Sequence, residues 1–431
     1  MTPLANTVLP SSLPLTITQA SCADDYDPNS MPVAKARQFI NTFLSPVSGV
    51  ARVALRSALG RVLAADIISP LNVPAHRNSA MDGWAMRFND LQLGQTTLTE
   101  IGTSFAGQPF GHAIGKNECV RIFTGGVVPD GADTIVMQER AQANGKSITF
   151  AEGQKLGQNL REAGEDLRAG AIALAKGRSV RSAELGLIAS LGIGEVSVYR
   201  PLRVAFFSTG DELVQIGNPL GEGQIYDSNR YTLHGMLTRI GCEVIDMGVV
   251  RDDPAILENA FIDASKIADV VITSGGVSVG EADYVKGLLQ KLGEVVFWKI
   301  AMKPGRPLAY GKIGGAHFFG LPGNPVSVMV TFYQFVRDAL LILQGVSPLP
   351  AQPLLKAVCT SPIKKMPGRT EFQRGVLYLE DGVFKVRVTG EQGSGILKSM
   401  SDANCFIMLH DHVGNVEAGA TVDVQILEGV I

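Results

Sequence analysis

The sequence predicts a multidomain protein of α/β and β class, built around a central doubly wound, mostly parallel sheet. Three observations predict it. Apolar strand patterns alternate with helical ones between residues 201 and 347, period-2 patterns punctuated by Gly, Pro and Asp fill two other stretches, and 431 residues exceed a single core.

Within the alternating region, RVAFFS, CEVIDMGVV, ADVVITS, VVFWKI and HFFGL are near-continuous apolar runs of the kind buried on both faces of a parallel sheet. Helical patterns lie between them over 228–240, after an Asp227 or Ser228 cap, over 254–267 with Pro254 suited to a first turn, and over 283–292. A last apolar helix follows LPGNP. Right-handed crossovers between parallel strands then leave the strand C-termini on one edge, where open α/β sheets bind ligands.

That edge carries the charge. Asp211 and Glu212 follow the first strand, Arg251, Asp252 and Asp253 the second, and Glu281 and Asp283 the third. Lys299, Lys303 and Arg306 come from the strand end and Pro/Gly-stiffened loop of WKIAMKPGRP. The third strand runs into TSGGVSVGEADY, whose Gly275, Gly276 and Gly280 allow positive φ and a close approach of backbone to an anion. Carboxylates of this density suit Mg²⁺, which takes one or two of them and completes its shell with water and phosphate. Lysine and arginine opposite suit an oxyanion.

Outside this region the expected plan has four further parts. Residues 1–31, rich in Pro, Ser, Thr and Leu, read as a flexible extension. Residues 32–70, with amphipathic helical patterns in PVAKARQFINTFL and VALRSALGRVLAADI, join 165–200, with a helix at 182–191, in a discontinuous N-terminal domain. Residues 71–164 read as a β-rich insertion with the short runs CVRIF, TIVMQE and SITF. Residues 348–431, with FQRGVLYL, VFKVRV, CFIML and VDVQIL, read as a small C-terminal β-barrel.

Composition excludes several classes. With 45% hydrophobic and 18% charged residues and a net charge of −3, the chain lacks the basic excess of a nucleic-acid binder. Five cysteines without a C-x-x-C give neither a disulfide framework nor a thiolate zinc site, which fits a reducing cytoplasm. A run of 18 apolar residues that would predict a membrane span is absent, and the lack of Lys or Arg before Lys35 argues against a secretory signal. The P-loop, H-E-x-x-H and G-x-S-x-G patterns are absent.

NSAMDGWA, RIFTGGVVP, GEDLRAG, STGDEL, GQIYDSN, TSGGVSVGEADY, KPGRP, LPGNPVS and FQRG with QGS nearby occur in one order from about Met31 to the C-terminus. In that order they resemble the motif set of the molybdopterin molybdenumtransferases, enzymes of molybdenum cofactor biosynthesis that are also similar to the C-terminal region of gephyrin. The resemblance implies Mg²⁺-dependent hydrolysis of adenylated molybdopterin, insertion of molybdate into the dithiolene and release of AMP. By resemblance Glu212, Asp252 and Asp283 carry the acidic work and the metal. Lys299, Lys303 and Arg306 hold anionic groups, with Ser274, Gly275 and Gly276 of TSGG and Pro322 and Pro325 of LPGNP lining the substrate.

Asp82 and Thr124 match essential family positions in the insertion. The resemblance implies a homodimer in which they reach a second subunit's rim. Asp166, Arg374 and Ser394 are further matches, and the enzymes that deliver the substrate, such as the adenylyltransferase, are possible partners. Two alternatives stand beside this reading: a molybdopterin adenylyltransferase and a non-catalytic scaffold of the gephyrin kind.

Overall fold

The computed structural model of the chain describes residues 30–47, 49–91, 94–276 and 283–427. They form two compact units. One holds the described chain up to Phe43 with Arg203–Ala339 and the segment from Ala351 onward; the other holds Leu44–Leu202 and Leu340–Pro350.

In the first unit β1 (Arg203–Thr209), α1 (Ser228–Arg239), β2 (Glu243–Val250), α2 (Pro254–Ile267) and β3 (Val270–Ser274) alternate as expected. They are followed by α3 (Asp283–Leu292), β4 (Gly293–Lys299), β5 (Pro307–Ile313), β6 (Ala316–Leu321) and α4 (Pro325–Thr331). The sheet order is β2-β1-β3-β6-β5-β4. Side chains from Val204 to Thr209 on β1 are all buried, as expected of a strand covered on both sides. Phe207 of β1 meets Phe261 of α2 at 5.2 Å between ring centroids, and Phe261 meets Phe318 of β6 at 5.6 Å, so the aromatic core spans three elements.

One strand departs from the expected direction. β1, β2, β3 and β6 are mutually parallel, but β5 is antiparallel to both β6 and β4. The Pro/Gly-stiffened loop after Lys299 ends at Arg306: PLAYGKI is a strand, and because it runs backwards its N-terminus at Pro307 sits opposite Lys299 in register. The reversal keeps the 300–306 loop on the same edge as the strand ends. This is why WKIAMKPGRP still reaches the rim.

After α4 the helix continues through a π-helical segment, Phe332–Val336, into Arg337–Leu343. Pro325–Leu343 is long and apolar enough by composition to cross a membrane, yet 67% of that stretch is buried inside the protein, the signature of a core helix.

In the C-terminal region Leu354–Cys359, Thr370–Glu380, Val383–Val388, Cys405–Leu409 and Thr421–Ile426 close a five-stranded barrel through the pairing of Thr370–Glu380 with Cys405–Leu409. Met302–Lys303, from the β4–β5 loop, adds to it in parallel beside Thr370 and Glu371.

Two N-terminal expectations change. Helix Val33–Thr42 belongs to the α/β unit: Arg37 Nε donates to the Gln334 carbonyl at 2.7 Å, and Phe39 stands edge-on to Trp298 at 5.1 Å. The second amphipathic pattern is not a helix. Val50–Ala54 is a strand paired with Glu195–Tyr199, followed by a 3₁₀ turn at Leu55–Ala58, because β-branched Val53 finds Val196 across the ladder. The inserted β sheet has six strands, in the order Thr134–Met137, Gly83–Met86, Glu118–Ile122, Thr96–Ser104, Ser147–Phe150 and Ala141–Asn144.

Candidate active site

A cavity of about 770 Å³ opens at the strand ends of the α/β unit. Glu212 and Asp252 line it after β1 and β2, Gly275 and Gly276 after β3, Lys303 and Arg306 from the β4–β5 loop, and Pro322, Gly323 and Asn324 after β6. Arg369, Gln392, Gly393 and Ser394 add a wall from the barrel. Two carboxylates therefore share a cavity with three cationic side chains, Lys303, Arg306 and Arg369.

Backbone chemistry explains why glycines sit at the tips. Gly275 and Gly276 have φ of 95° and 68°, and a Cβ on Gly275 would fall 2.5 Å from the Thr209 carbonyl oxygen. Gly210, with φ of 146°, lets the Glu212 carboxylate fold back: a Cβ there would stand 2.5 Å from Glu212 Oε2.

The tips are also stapled together. Asn229, buried at the start of α1, donates from Nδ2 to Ser274 Oγ at 2.8 Å and to the Gly323 carbonyl at 2.6 Å. It ties the end of β3 to the end of β6, and Gly275 N–H adds a bond to the Leu321 carbonyl at 3.1 Å.

Several expected site residues stand elsewhere. Ser274 is buried behind the wall with its Oγ taken by Asn229. Lys299 ends β4 and Pro325 opens α4; neither lines the cavity. Asp253 is the α2 cap, accepting from Ala255 and Ile256 N–H at 2.9 and 3.0 Å. Asp283 opens α3, but its side chain lies outside the described residues, as do Gly280 and Glu281.

Arg374 corrects the expectation of a group facing an anion. It is 1% exposed, and its guanidinium donates to the carbonyls of Gly393 (2.9 Å), Gln392 (3.1 Å) and Glu391 (3.3 Å) and to Ser399 Oγ (2.9 Å). Burial pushes its pKa down to about 10, so it stays charged at neutral pH. Arg374 thus lies under the 391–394 loop and shapes it. The loop's Ser394 carbonyl in turn accepts from Val326 N–H at 3.1 Å, joining barrel to helix.

In the second unit Asp82 and Thr124 meet directly. Asp82 Oδ1 accepts from both the backbone N–H and the Oγ1 of Thr124, each at 2.8 Å. Thr124's backbone N–H, its hydroxyl and the nearby Arg121 charge together hold the Asp82 carboxyl below its ordinary range. Arg121 lies 4.2 Å over the Trp84 ring and 5.2 Å over Phe123, so the pair has a braced cation beside it. Asp166 is exposed in the same unit, its N–H on the Val73 carbonyl at 3.1 Å.

Three family models match the chain: "MoeA N-terminal region (domain I and II)" over residues 31–192, "Probable molybdopterin binding domain" over 205–341 and "MoeA C-terminal region (domain IV)" over 356–427. A molybdopterin molybdenumtransferase of Haemophilus influenzae is 50% identical over 86% of this chain and 92% of its own length. The chain belongs to the molybdopterin molybdenumtransferase family. Gephyrin of Dictyostelium discoideum is 34% identical over 91% of this chain and 62% of its own. The crystal structure of the molybdopterin biosynthesis moeA protein from Pyrococcus horikoshii OT3 superposes with a TM-score of 0.80 at 29% identity, covering 92% of this chain and all of that one.

Against the family's three matched regions, the cavity draws on the second and third, while Asp82, Thr124 and Asp166 fall in the first. Sequence reading missed Arg369, Asn324, Gln392 and Thr209 in the lining, and Asn229 behind it. Thr209, Asn229, Asn324 and Gln392 stand inside the motifs STGDEL, GQIYDSN, LPGNPVS and QGS, and Arg369 adjoins FQRG, so each had a signal; the four inside are uncharged, and only the fold shows their direction.

Proposed function

We propose that this chain is an enzyme that hydrolyses adenylated molybdopterin, releases AMP and installs molybdenum from molybdate on the dithiolene. The observation that carries this reading is the single cavity in which Glu212 and Asp252 share walls with Lys303, Arg306 and Arg369. A pyrophosphate and an oxometal anion both bring negative charge, and the three cations neutralise it.

Mg²⁺ fits this donor set. Glu212 and Asp252, which line the cavity together, would supply two carboxylate ligands, and substrate phosphate and water the rest. When bound, the ion withdraws charge from the scissile phosphoryl group. Asp283 is kept as a third acidic candidate on resemblance alone. The chain's own residues orient: Gly275 and Gly276 admit the anion to the backbone, Ser394 and Gln392 border it from the barrel, and Pro322 keeps the β6 tip extended.

The proposed working form is a cytoplasmic homodimer, with Asp82 and Thr124 completing the partner's site. Lys299, Pro325 and Asp166 retain supporting roles in that reading. The reading is tested by incubating purified protein with adenylated molybdopterin, Mg²⁺ and molybdate. AMP release with molybdenum on the pterin is expected; consumption of ATP with molybdopterin instead would overturn it.

A further inference from the structure

Thr209 ends β1 beside the diglycine turn, because the parallel ladder sets Phe207 against Thr273 and Ser208 against Ser274. It lines the cavity and is only 7% exposed, yet its Oγ1 has no hydrogen-bond partner among the described residues. A buried hydroxyl without a partner costs free energy, so it calls for an explanation. Two groups of the same turn are already committed: Ser274 Oγ accepts from Asn229, and Gly275 N–H donates to Leu321.

The turn is folded over this hydroxyl. A Cβ on Gly276 would lie 2.9 Å from Thr209 Oγ1, the nearest atom there, so a group that enters the space left by that missing side chain meets the Thr209 O–H; at Gly275 the Thr209 carbonyl oxygen is nearer, 2.5 Å against 3.0 Å for Oγ1. The cations on the other walls select an anion for that space. A threonine hydroxyl rotates freely about its C–O bond and donates one proton, which suits an oxyanion oxygen.

We infer that the Thr209 hydroxyl donates a hydrogen bond to a phosphoryl oxygen of the bound pterin substrate at the Gly275–Gly276 turn, making Thr209 a substrate-positioning residue. The inference rests on the proposed function and adds a residue to it. The shared chemistry is a tetrahedral oxyanion, and molybdate is the other source.

The test compares Thr209→Val, which keeps the shape and removes the donor, with Thr209→Ser, which keeps the donor. Pyrophosphate and molybdate are titrated separately by calorimetry, and KM and kcat for AMP release from adenylated molybdopterin are measured with Mg²⁺ and molybdate. Thr209→Val should weaken pyrophosphate binding and raise KM about tenfold, as expected for one hydrogen bond to a charged group, while molybdate affinity holds. Thr209→Ser should restore both to within about twofold. The melting temperature of Thr209→Val should equal or exceed that of the wild type, because an unpartnered buried hydroxyl is replaced by a methyl group; this separates a binding defect from a folding one. An active wild type whose KM and pyrophosphate affinity match those of Thr209→Val overturns this inference alone. Loss confined to molybdate overturns the phosphoryl assignment, and a wild type that releases no AMP overturns both this inference and the proposed function.

Discussion

The α/β rim and the inserted β sheet gather candidate site side chains in different ways. On the rim, five separate loops converge because neighbouring strands end at one edge, so Glu212 and Lys303 share a cavity although 91 positions separate them. In the insertion, Asp82 and Thr124 meet because Gly83 pairs with Ile122 in an antiparallel ladder, which carries the residues just beyond each strand to the same end. A parallel sheet collects from a distance, whereas an antiparallel pair delivers one local contact. The rim therefore builds a pocket, and the insertion presents a braced tip.

If the rim does the chemistry, Asp252→Asn and Glu212→Gln should each lower kcat for AMP release by about 10²–10³-fold with melting temperature nearly unchanged, since they lose charge and keep shape. Full activity in both would break the distinction between pocket and scaffold.

The insertion's tip is probed by mixing. If the proposed homodimer shares its sites, Asp82→Ala and Asp283→Ala chains should each be inactive alone, and refolded together they should recover about a quarter of wild-type activity, because half the dimers would carry one intact site of two. No recovery would confine each site to one chain.

A third comparison sets a cavity cation against the buried one. Lys303→Gln should weaken anionic substrate about tenfold and leave stability alone. Arg374→Met should strand three carbonyls and the Ser399 hydroxyl, costing about 2–4 kcal/mol, read as an earlier thermal transition.

The smallest effect belongs to an ion cluster that is part of neither region. Glu184, nearly buried between Arg178 and Arg181, has its carboxyl pulled down to about 2, first by the Arg181 hydrogen bond. A carboxylate depressed in the folded state stabilises fully above its ordinary pKa near 4.5, and that stability is lost as pH falls toward about 2. With both arginines more than half exposed, Glu184→Gln should cost on the order of 1–2 kcal/mol at pH 7, and the gap to wild type should close on approach to pH 2 in paired melts.

The alternation of β1 to β3 with α1 and α2 was legible because a buried parallel strand must be apolar throughout, and the cap at Asp227 and the first-turn Pro254 carry their own signatures. β5 was hidden by the Pro/Gly-rich run before it, which reads as loop whichever way the next strand points. Charged cavity residues such as Glu212 and Lys303 stood out because charges cluster visibly in sequence. Arg374 misled for the same reason: a charge in a motif looks like a ligand contact, and only packing reveals that its donors are spent on carbonyls. Asn229 and Thr209 had no such contrast, since an amide or hydroxyl at a strand or helix end is equally at home as a cap.

The two-residue strand Met302–Lys303 makes the C-terminal barrel a brace for the neighbouring domain's loop. A chain cut short before residue 354 would forfeit more than the barrel's own Arg369 and Ser394: Lys303 would lose the Glu371 ladder that aims it, and a backbone edge would be bared. Partial chains should thus fail as catalysts even when their α/β sheet folds.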